Sequence, residues 1–505
     1  MDTHARPVTP ESTTRPDTTD AASPQRYVPS IYRSGTVQQT GRLHPSQVRE
    51  ILESLDTCNQ RIQHRPYDPQ AWFERGRRMW MLNFPELAVG DMYKAKLLQA
   101  GDPDANKDLR QSVYELLAVA LQACHCQWDA AGMLEESIMH ARPLWCEKAT
   151  ERAEVLRAFL KRKEEAARAL SGTPHEVQDR VRDGGVLTVE YPWTIERHLT
   201  RSSGLIELVN EELSETGNDA PCFLGRSTLA KDPGEDMLGM FAARDIRAGE
   251  CILTDRTATG VCSTPPPNSC SNCYARLPDA PKGTTCCSES YCSDECLRLA
   301  MKTCHRVLCG KDFEWLQAPA RGLTHNASPL RPLLMLRLLA TCVQAGVEKS
   351  PLDHPLIARL KPLANKDHLD VFTLNESIII PIKILEQLDV DVFANRNFDT
   401  EVLHSIWTRL ANNKAGSLDH RLGFIDEITP HLPLFNHSCA PNVEWRRENG
   451  STTVRFLAIK PVTMGDELFC SYVNVGGVRV EQRQDLLSPW FEGPCLCSRC
   501  TEEMA

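Results

Sequence analysis

Phe435-Asn436-His437-Ser438-Cys439-Ala440-Pro441-Asn442 is the stretch on which the reading of this chain turns. Two features follow it: Gly465-Asp466-Glu467-Leu468-Phe469-Cys470-Ser471-Tyr472, and a terminal cluster, Cys495-Leu496-Cys497-Ser498-Arg499-Cys500. Upstream, a second cysteine-rich block interrupts the chain at 270–309. It reads Cys270-x-x-Cys273, Cys286-Cys287, Cys292-x-x-x-Cys296 and His305-x-x-x-Cys309. Thiolate and imidazole suit a borderline-soft ion such as Zn²⁺, and short spacings let one turn present two ligands to it. The block therefore holds enough candidate ligands for two tetrahedral sites.

The chain has 505 residues, which at about 150 per domain implies roughly three domains. Lys+Arg number 57 against 67 Asp+Glu, a formal net charge of −10. There is no long basic run and no basic recognition helix, which argues against direct nucleic-acid binding. The first twenty residues are polar and threonine-rich, unlike a signal peptide. No apolar run approaches the ~18 residues that span a membrane. A reducing compartment, nucleus or cytoplasm, is expected, and there the 21 cysteines read as metal ligands before disulfides. Asn436-His437-Ser438 fits the N-glycosylation pattern, a reading that fails without a secretory route.

In their order and spacing these motifs resemble the C-terminal half of a SET-domain protein lysine methyltransferase. The inserted block is similar to the SMYD-type family, in which a MYND zinc module interrupts the SET domain. The resemblance runs from Tyr191 to Cys500. It implies an α+β fold: a SET-type β core with an inserted zinc module, preceded by an all-α helical-repeat region. The expected divisions are a disordered tail at 1–42, TPR-like helices at 43–170 and the first SET part at 171–260. A MYND-like module at 261–310, a helical insert at 311–428, the second SET part at 429–480 and a zinc-binding tail at 481–505 complete the chain.

The resemblance also assigns roles. Interleaved ligand pairs put Cys270, Cys273, Cys292 and Cys296 on one zinc and Cys286, Cys287, His305 and Cys309 on another, with Cys304 a spare candidate. Cys439 joins Cys495, Cys497 and Cys500 on a third, tying the tail over the cofactor. Asn436 and His437 grip S-adenosylmethionine, Gly239 and Met240 form the opposite wall, and Trp490 or Phe491 walls the adenine or the lysine channel. Tyr472 is the catalytic tyrosine of the methyl-transfer pore. Met237 stands where the family has the first glycine of Gly-x-Gly. The implied partner is a protein carrying the target lysine, histone or non-histone, and the acidic balance suits a basic one. The other reading is a zinc-stabilised scaffold that binds partners and has lost cofactor binding through Met237.

Along the chain, helical patterning starts at Pro45-Ser46, with Ser46 as the expected N-cap. Trp72, Gly76, Ala88 and Ala95 match the offsets of a tetratricopeptide repeat, in which small residues let paired helices approach; Arg75 and Met79 depart from its Leu and Tyr positions. A second helix pair is expected at 114–123 and 130–140, and a long helix at 147–170. The region either docks a peptide or simply packs on the rest of the protein. Ser171-Gly172-Thr173-Pro174 breaks it. A helix at 197–213 and a strand at 222–224 follow. Gly239 to Glu250 reads as a hairpin turning at Ala248-Gly249-Glu250. Residues 329–343 and 378–393 are apolar at helical spacing. Glu444 to Lys460 reads as a hairpin turning at Asn449-Gly450, with Val454, Phe456 and Ala458 on one face.

The chemistry implied is an in-line displacement by a lysine amine. With a reference pKa of about 10.4 the amine arrives protonated, and an apolar channel favours its neutral form. No carboxylate base is required. Alignment at near-attack distance is.

Overall fold

A computed structural model describes residues 43–504 apart from 101–105, 140–142, 171–180, 188, 202–203, 216–219, 231–236, 258, 321–329, 363–368, 449 and 492. The disordered tail at 1–42, the break at 171–174 and Asn449 of the expected turn lie outside the described residues.

Six helices lead: α1 (Pro45–His64), α2 (Pro69–Met81), α3 (Pro85–Gln99), α4 (Lys107–Ala123), α5 (Gln127–Ile138) and α6 (Pro143–Leu170). The N-cap of α1 is His44, not Ser46, because Pro45 already adopts the first helical position. The repeat-like offsets work as expected. Gly76 faces α3 so closely that a Cβ there would meet Met92 at 2.3 Å, and Ala88 and Ala95 are fully buried.

Arg75, the misfit in the repeat pattern, explains how these helices are held. It donates to Asp91 at 2.6 and 2.8 Å and to Asp399 at 2.6 and 2.9 Å. Lys94 adds a bond to Asp399 at 3.0 Å. All four side chains are buried, and Trp72 lies under both cations. Asp399 caps α11 (Thr400–Asn413). The first helices are therefore pinned to the later part of the chain by charges that would be costly if unpaired. One apolar cluster continues from Val48 through α9 (Leu330–Ala345) and α10 (Ile380–Gln387) to Ile428. Between them, α7 (Gly204–Glu215) and α8 (Asp294–Thr303) complete the longer helices up to α11. The helix expected at 197–213 is interrupted: extended Thr200 ends a short turn at Glu196–Leu199 before α7 begins.

Among the described residues the strands form five small sheets. β1 (Gly184–Leu187) pairs with β8 (Leu369–Phe372). β2 (Cys222–Arg226) and β3 (Leu238–Ala242) continue the order β11-β14-β3-β2, with β11 (Asn436–His437) and β14 (Glu467–Cys470). β4 (Cys251–Asp255) pairs with β13 (Val454–Ala458), which pairs with β12 (Val443–Arg447). β5 (Val261–Cys262) joins β9 (Ala415–Asp419) and β10 (Gly423–Glu427) in the order β5-β10-β9, and β6 (Lys282–Gly283) pairs with β7 (Ser290–Tyr291).

Two expectations change here. β3 and β4 are not a hairpin: the turn at Gly249, φ +81°, is real, but it sends the strands into different sheets. The insert is not wholly helical, since 415–427 is a β-hairpin whose turn lies at 420–422. The hairpin β12–β13 forms as expected, and Val454, Phe456 and Ala458 are buried on one face. Phe456 stacks on Phe435 at 4.6 Å between ring centres, in the apolar cluster beneath β3 and β14.

Candidate functional site

The parallel pairing of β11 with β14, Asn436 opposite Phe469 and His437 opposite Cys470, lays the two central motifs side by side. Their polar residues hold the crossing. Asn442 accepts from the Phe469 N–H at 2.7 Å and donates to the Glu467 carbonyl at 2.8 Å. Tyr472, just past β14, is held twice by the first motif. Its hydroxyl donates to the Phe435 carbonyl at 3.0 Å, and its N–H donates to His437 Nδ1 at 3.0 Å.

Asn436 Nδ2 donates to Glu467 Oε1 at 2.8 Å, the Leu238 carbonyl at 2.9 Å and Ser227 Oγ at 3.0 Å. Glu467 also accepts from the Ser227 hydroxyl, the Thr228 N–H and the Thr228 hydroxyl. The carboxylate thereby ties β14 to the segment after β2. It is also why position 239 is glycine, since a Cβ there would stand 2.1 Å from Glu467 Oε1.

A cavity of about 510 Å³ opens beside this crossing, within the roughly 300–1,000 Å³ range of small-molecule sites. Asn436, His437, Tyr472 and Phe491 all line it, with Met237, Asn412, Trp445 and Trp490. Tyr472 and Phe491 lie nearly parallel at 12°, 6.3 Å apart, and Trp490 is 5.9 Å from Tyr472. Trp490 Nε1 donates to the Asn412 carbonyl at 2.9 Å, pinning the tail segment to the end of α11. Burial pushes the Tyr472 phenol above its usual range. Burial, with Arg483 adding, pushes the His437 imidazole down to about 4. Both groups are neutral near pH 7.

The cysteine-rich segments gather into three groups of four: Cys270, Cys273, Cys292 and Cys296; Cys286, Cys287, His305 and Cys309; and Cys439, Cys495, Cys497 and Cys500. In each, one ligand atom per residue lies within 4.8 Å of all the others. Zn–S bonds of about 2.3 Å give tetrahedral S···S edges of about 3.8 Å. The measured edges are 3.6 Å for Cys273–Cys292 and Cys292–Cys296 and 3.5 Å for Cys439–Cys500. A disulfide would need about 2.05 Å. His305 Nε2 stands 3.3 Å from Cys286 and 3.7 Å from Cys287. Its Nδ1 meets the Glu289 carboxylate at 2.9 Å, which fixes the tautomer that leaves Nε2 free to ligate. Arg483, 0% exposed, donates to Cys500 Sγ at 3.5 Å, a placement that suits thiolates rather than thiols. All three groups fit zinc. Cys304 belongs to none of them and instead accepts from Arg337.

Residues 237–473 match the family model for the SET domain. That stretch is a SET domain. A SET and MYND domain-containing protein of Dictyostelium discoideum is 24% identical over 52% of this chain and 78% of its own length. The histone-lysine N-methyltransferase SET5 of Mycosarcoma maydis is 22% identical over 53% of this chain and 65% of its own length. For the human N-lysine methyltransferase SMYD2 the figures are 25%, 46% and 51%, so the chain spans about half the length of that relative.

Within the SET domain, Asn436, His437 and Tyr472 come together as expected, and the tail brings Phe491 and Trp490 to the same cavity. Gly239 and Met240 do not line it. Gly239 is roofed by Glu467, and Met240 is buried in the apolar core. Met237, the departure from Gly-x-Gly, is itself a wall residue. Asn412 lines the cavity, whereas the adjacent Asn413 is engaged by the Lys361 backbone at 2.9 and 3.0 Å. Trp445 and Glu467 escaped the sequence reading. Trp445 sits on an ordinary-looking strand, and Glu467 could have been found only as the one buried carboxylate of the Gly465–Tyr472 motif.

Proposed function

We propose that this chain is a protein-lysine N-methyltransferase that uses S-adenosylmethionine, carries three structural zincs, and acts on a lysine of a histone or non-histone protein in the nucleus or cytoplasm. The observation that carries the proposal is the convergence of Asn436, His437, Tyr472 and Phe491 on one cavity. Asn436, His437 and Phe491 would hold the cofactor, which when bound supplies a methyl on a sulfonium. With Asn436 Nδ2 held by the protein, its Oδ1 is the atom left for a ligand.

Desolvation in this cavity, together with Arg331, Lys361 and Lys414 on its lining, disfavours an ammonium, so an entering lysine would give its proton to water before it reacts. Tyr472 is a neutral phenol whose proton is committed to the Phe435 carbonyl. Its oxygen is left to accept weak hydrogen bonds and to align the amine. No carboxylate base is needed.

Met237 on the cavity wall favours the second reading, a scaffold without cofactor. Calorimetric titration of the zinc-replete protein with S-adenosylmethionine separates the two. Micromolar binding that is lost in Asn436→Ala is expected. No binding by folded protein would overturn the enzyme reading and direct attention to partners of the helical region.

A further inference from the structure

We propose that His437 is a positioning residue that couples the metal site of Cys439, Cys495, Cys497 and Cys500 to Tyr472. The proposal deepens the reading above and rests on it. The geometry is specific. His437 is buried, and its two ring nitrogens face different partners. Nδ1 meets the Tyr472 N–H at 3.0 Å, and a backbone N–H can only donate. Nδ1 therefore carries no proton, and in the neutral ring the proton must sit on Nε2. Nε2 stands 3.2 Å from Cys439 Sγ, so it donates to that sulfur. A thiolate bound to metal is a good acceptor for such a bond, and a bond of this kind orients a ligand and tunes its hold on the metal.

The imidazole thus bridges two things that the chain brings together only in three dimensions. On one side is a sulfur shared with the tail cluster, where the Cys439 N–H donates back to Cys497 Sγ at 3.3 Å. On the other is the backbone of the residue that lines the pore. Because the Tyr472 hydroxyl is held by Phe435, the amide bond to His437 is the second of two anchors that set the ring. Loss of metal frees Cys439, loosens the imidazole and releases one anchor of Tyr472. The cluster then does more than hold the tail down: it gates turnover through one ring.

Two substitutions split the bridge. In His437→Gln the side-chain amide reaches the Nε2 position and retains a donor for Cys439 but loses the acceptor for Tyr472. In His437→Asn the amide oxygen reaches the Nδ1 position and retains the acceptor but loses the donor. Two readouts need no activity. One is the chelator-driven alkylation rate of each cysteine, mapped by peptide mass, with the two upstream groups as internal controls. The other is amide hydrogen exchange in the peptide that contains Tyr472. Asn should speed alkylation of the tail cluster about tenfold and leave the upstream groups unchanged. Gln should leave alkylation unchanged and speed exchange at Tyr472. Chelation should speed exchange at Tyr472 in the wild type and have far less effect in the Asn variant. Equal alkylation rates in Asn and wild type, or exchange at Tyr472 that ignores chelation in the wild type, would overturn the coupling. If both readouts behave as expected in a protein that binds no S-adenosylmethionine, the coupling stands and the enzyme reading fails.

Discussion

Residues 270–309 and the set Cys439, Cys495, Cys497 and Cys500 build four-ligand groups from the same chemistry on different plans. The first pair of groups lies within one contiguous stretch, held to α9 through Arg337 and Gln344 and to the SET part by bonds that include two to its own carbonyls. The Thr452 N–H donates to the Cys273 carbonyl at 3.0 Å and Arg421 donates to the Tyr274 carbonyl at 3.3 Å. The second group joins residues 61 positions apart, Cys439 and Cys500, and the intervening chain supplies Tyr472, Trp490 and Phe491 to the cavity. A local cluster can be lost with local consequences. A cluster that closes a long loop around a site takes the site with it.

The largest break in that contrast is expected from Cys500→Ser. It should remove cofactor binding in calorimetry and lower turnover beyond the ten- to hundredfold that outer-sphere partners command. The joint of Arg75, Asp91, Lys94 and Asp399 is long-range in the same way but without a metal. Asp399→Ala leaves two buried cations short of a partner and should cost about 3–5 kcal/mol, read as a fall in the denaturant midpoint. Burial pushes Asp399 up, but Arg75 and Lys94 together outweigh it and hold the carboxyl well below its usual range. That contribution is therefore present at neutral pH and is lost as pH falls through the depressed value. Cys286→Ser, in the exposed upstream group, should remove one zinc by native mass spectrometry while lowering turnover far less than Cys500→Ser does.

The smallest effect lies far from either cluster. Burial raises Glu86 to about 7, although the Tyr191 hydroxyl donates to it. Between the unfolded value of 4.5 and about 7 the folded protein binds more protons than the unfolded one, so this residue lowers stability as pH rises through that window. Glu86→Gln should stabilise by on the order of 1 kcal/mol at pH 8 and by almost nothing at pH 4, checked by thermal melts at both values.

Much of this was legible in the chain. Gly76, Ala88 and Ala95 at repeat offsets from Trp72 announce closely packed helices because only small residues allow the approach, and period-two alternation around Asn449-Gly450 announces β12 and β13. The metal-ligating residues declare themselves by type and spacing. Arg75 read as a defect in a repeat, because its partner Asp399 is 324 positions away. The turn at Gly249 was visible, but local backbone geometry does not say which sheet the next strand joins. Met240 was expected on the cofactor wall from the family resemblance, yet its side chain is buried in the apolar cluster and does not line the cavity.

The sequence by itself determined most of the long helices, the ligands and the chemistry available, since these follow from side-chain type and short spacings. Only the tertiary structure decided that Met237 rather than Met240 faces the cavity, that Glu467 roofs Gly239, and that one imidazole spans Cys439 and Tyr472. Those outcomes depend on which distant strands pair and in what register, and no local interaction encodes that.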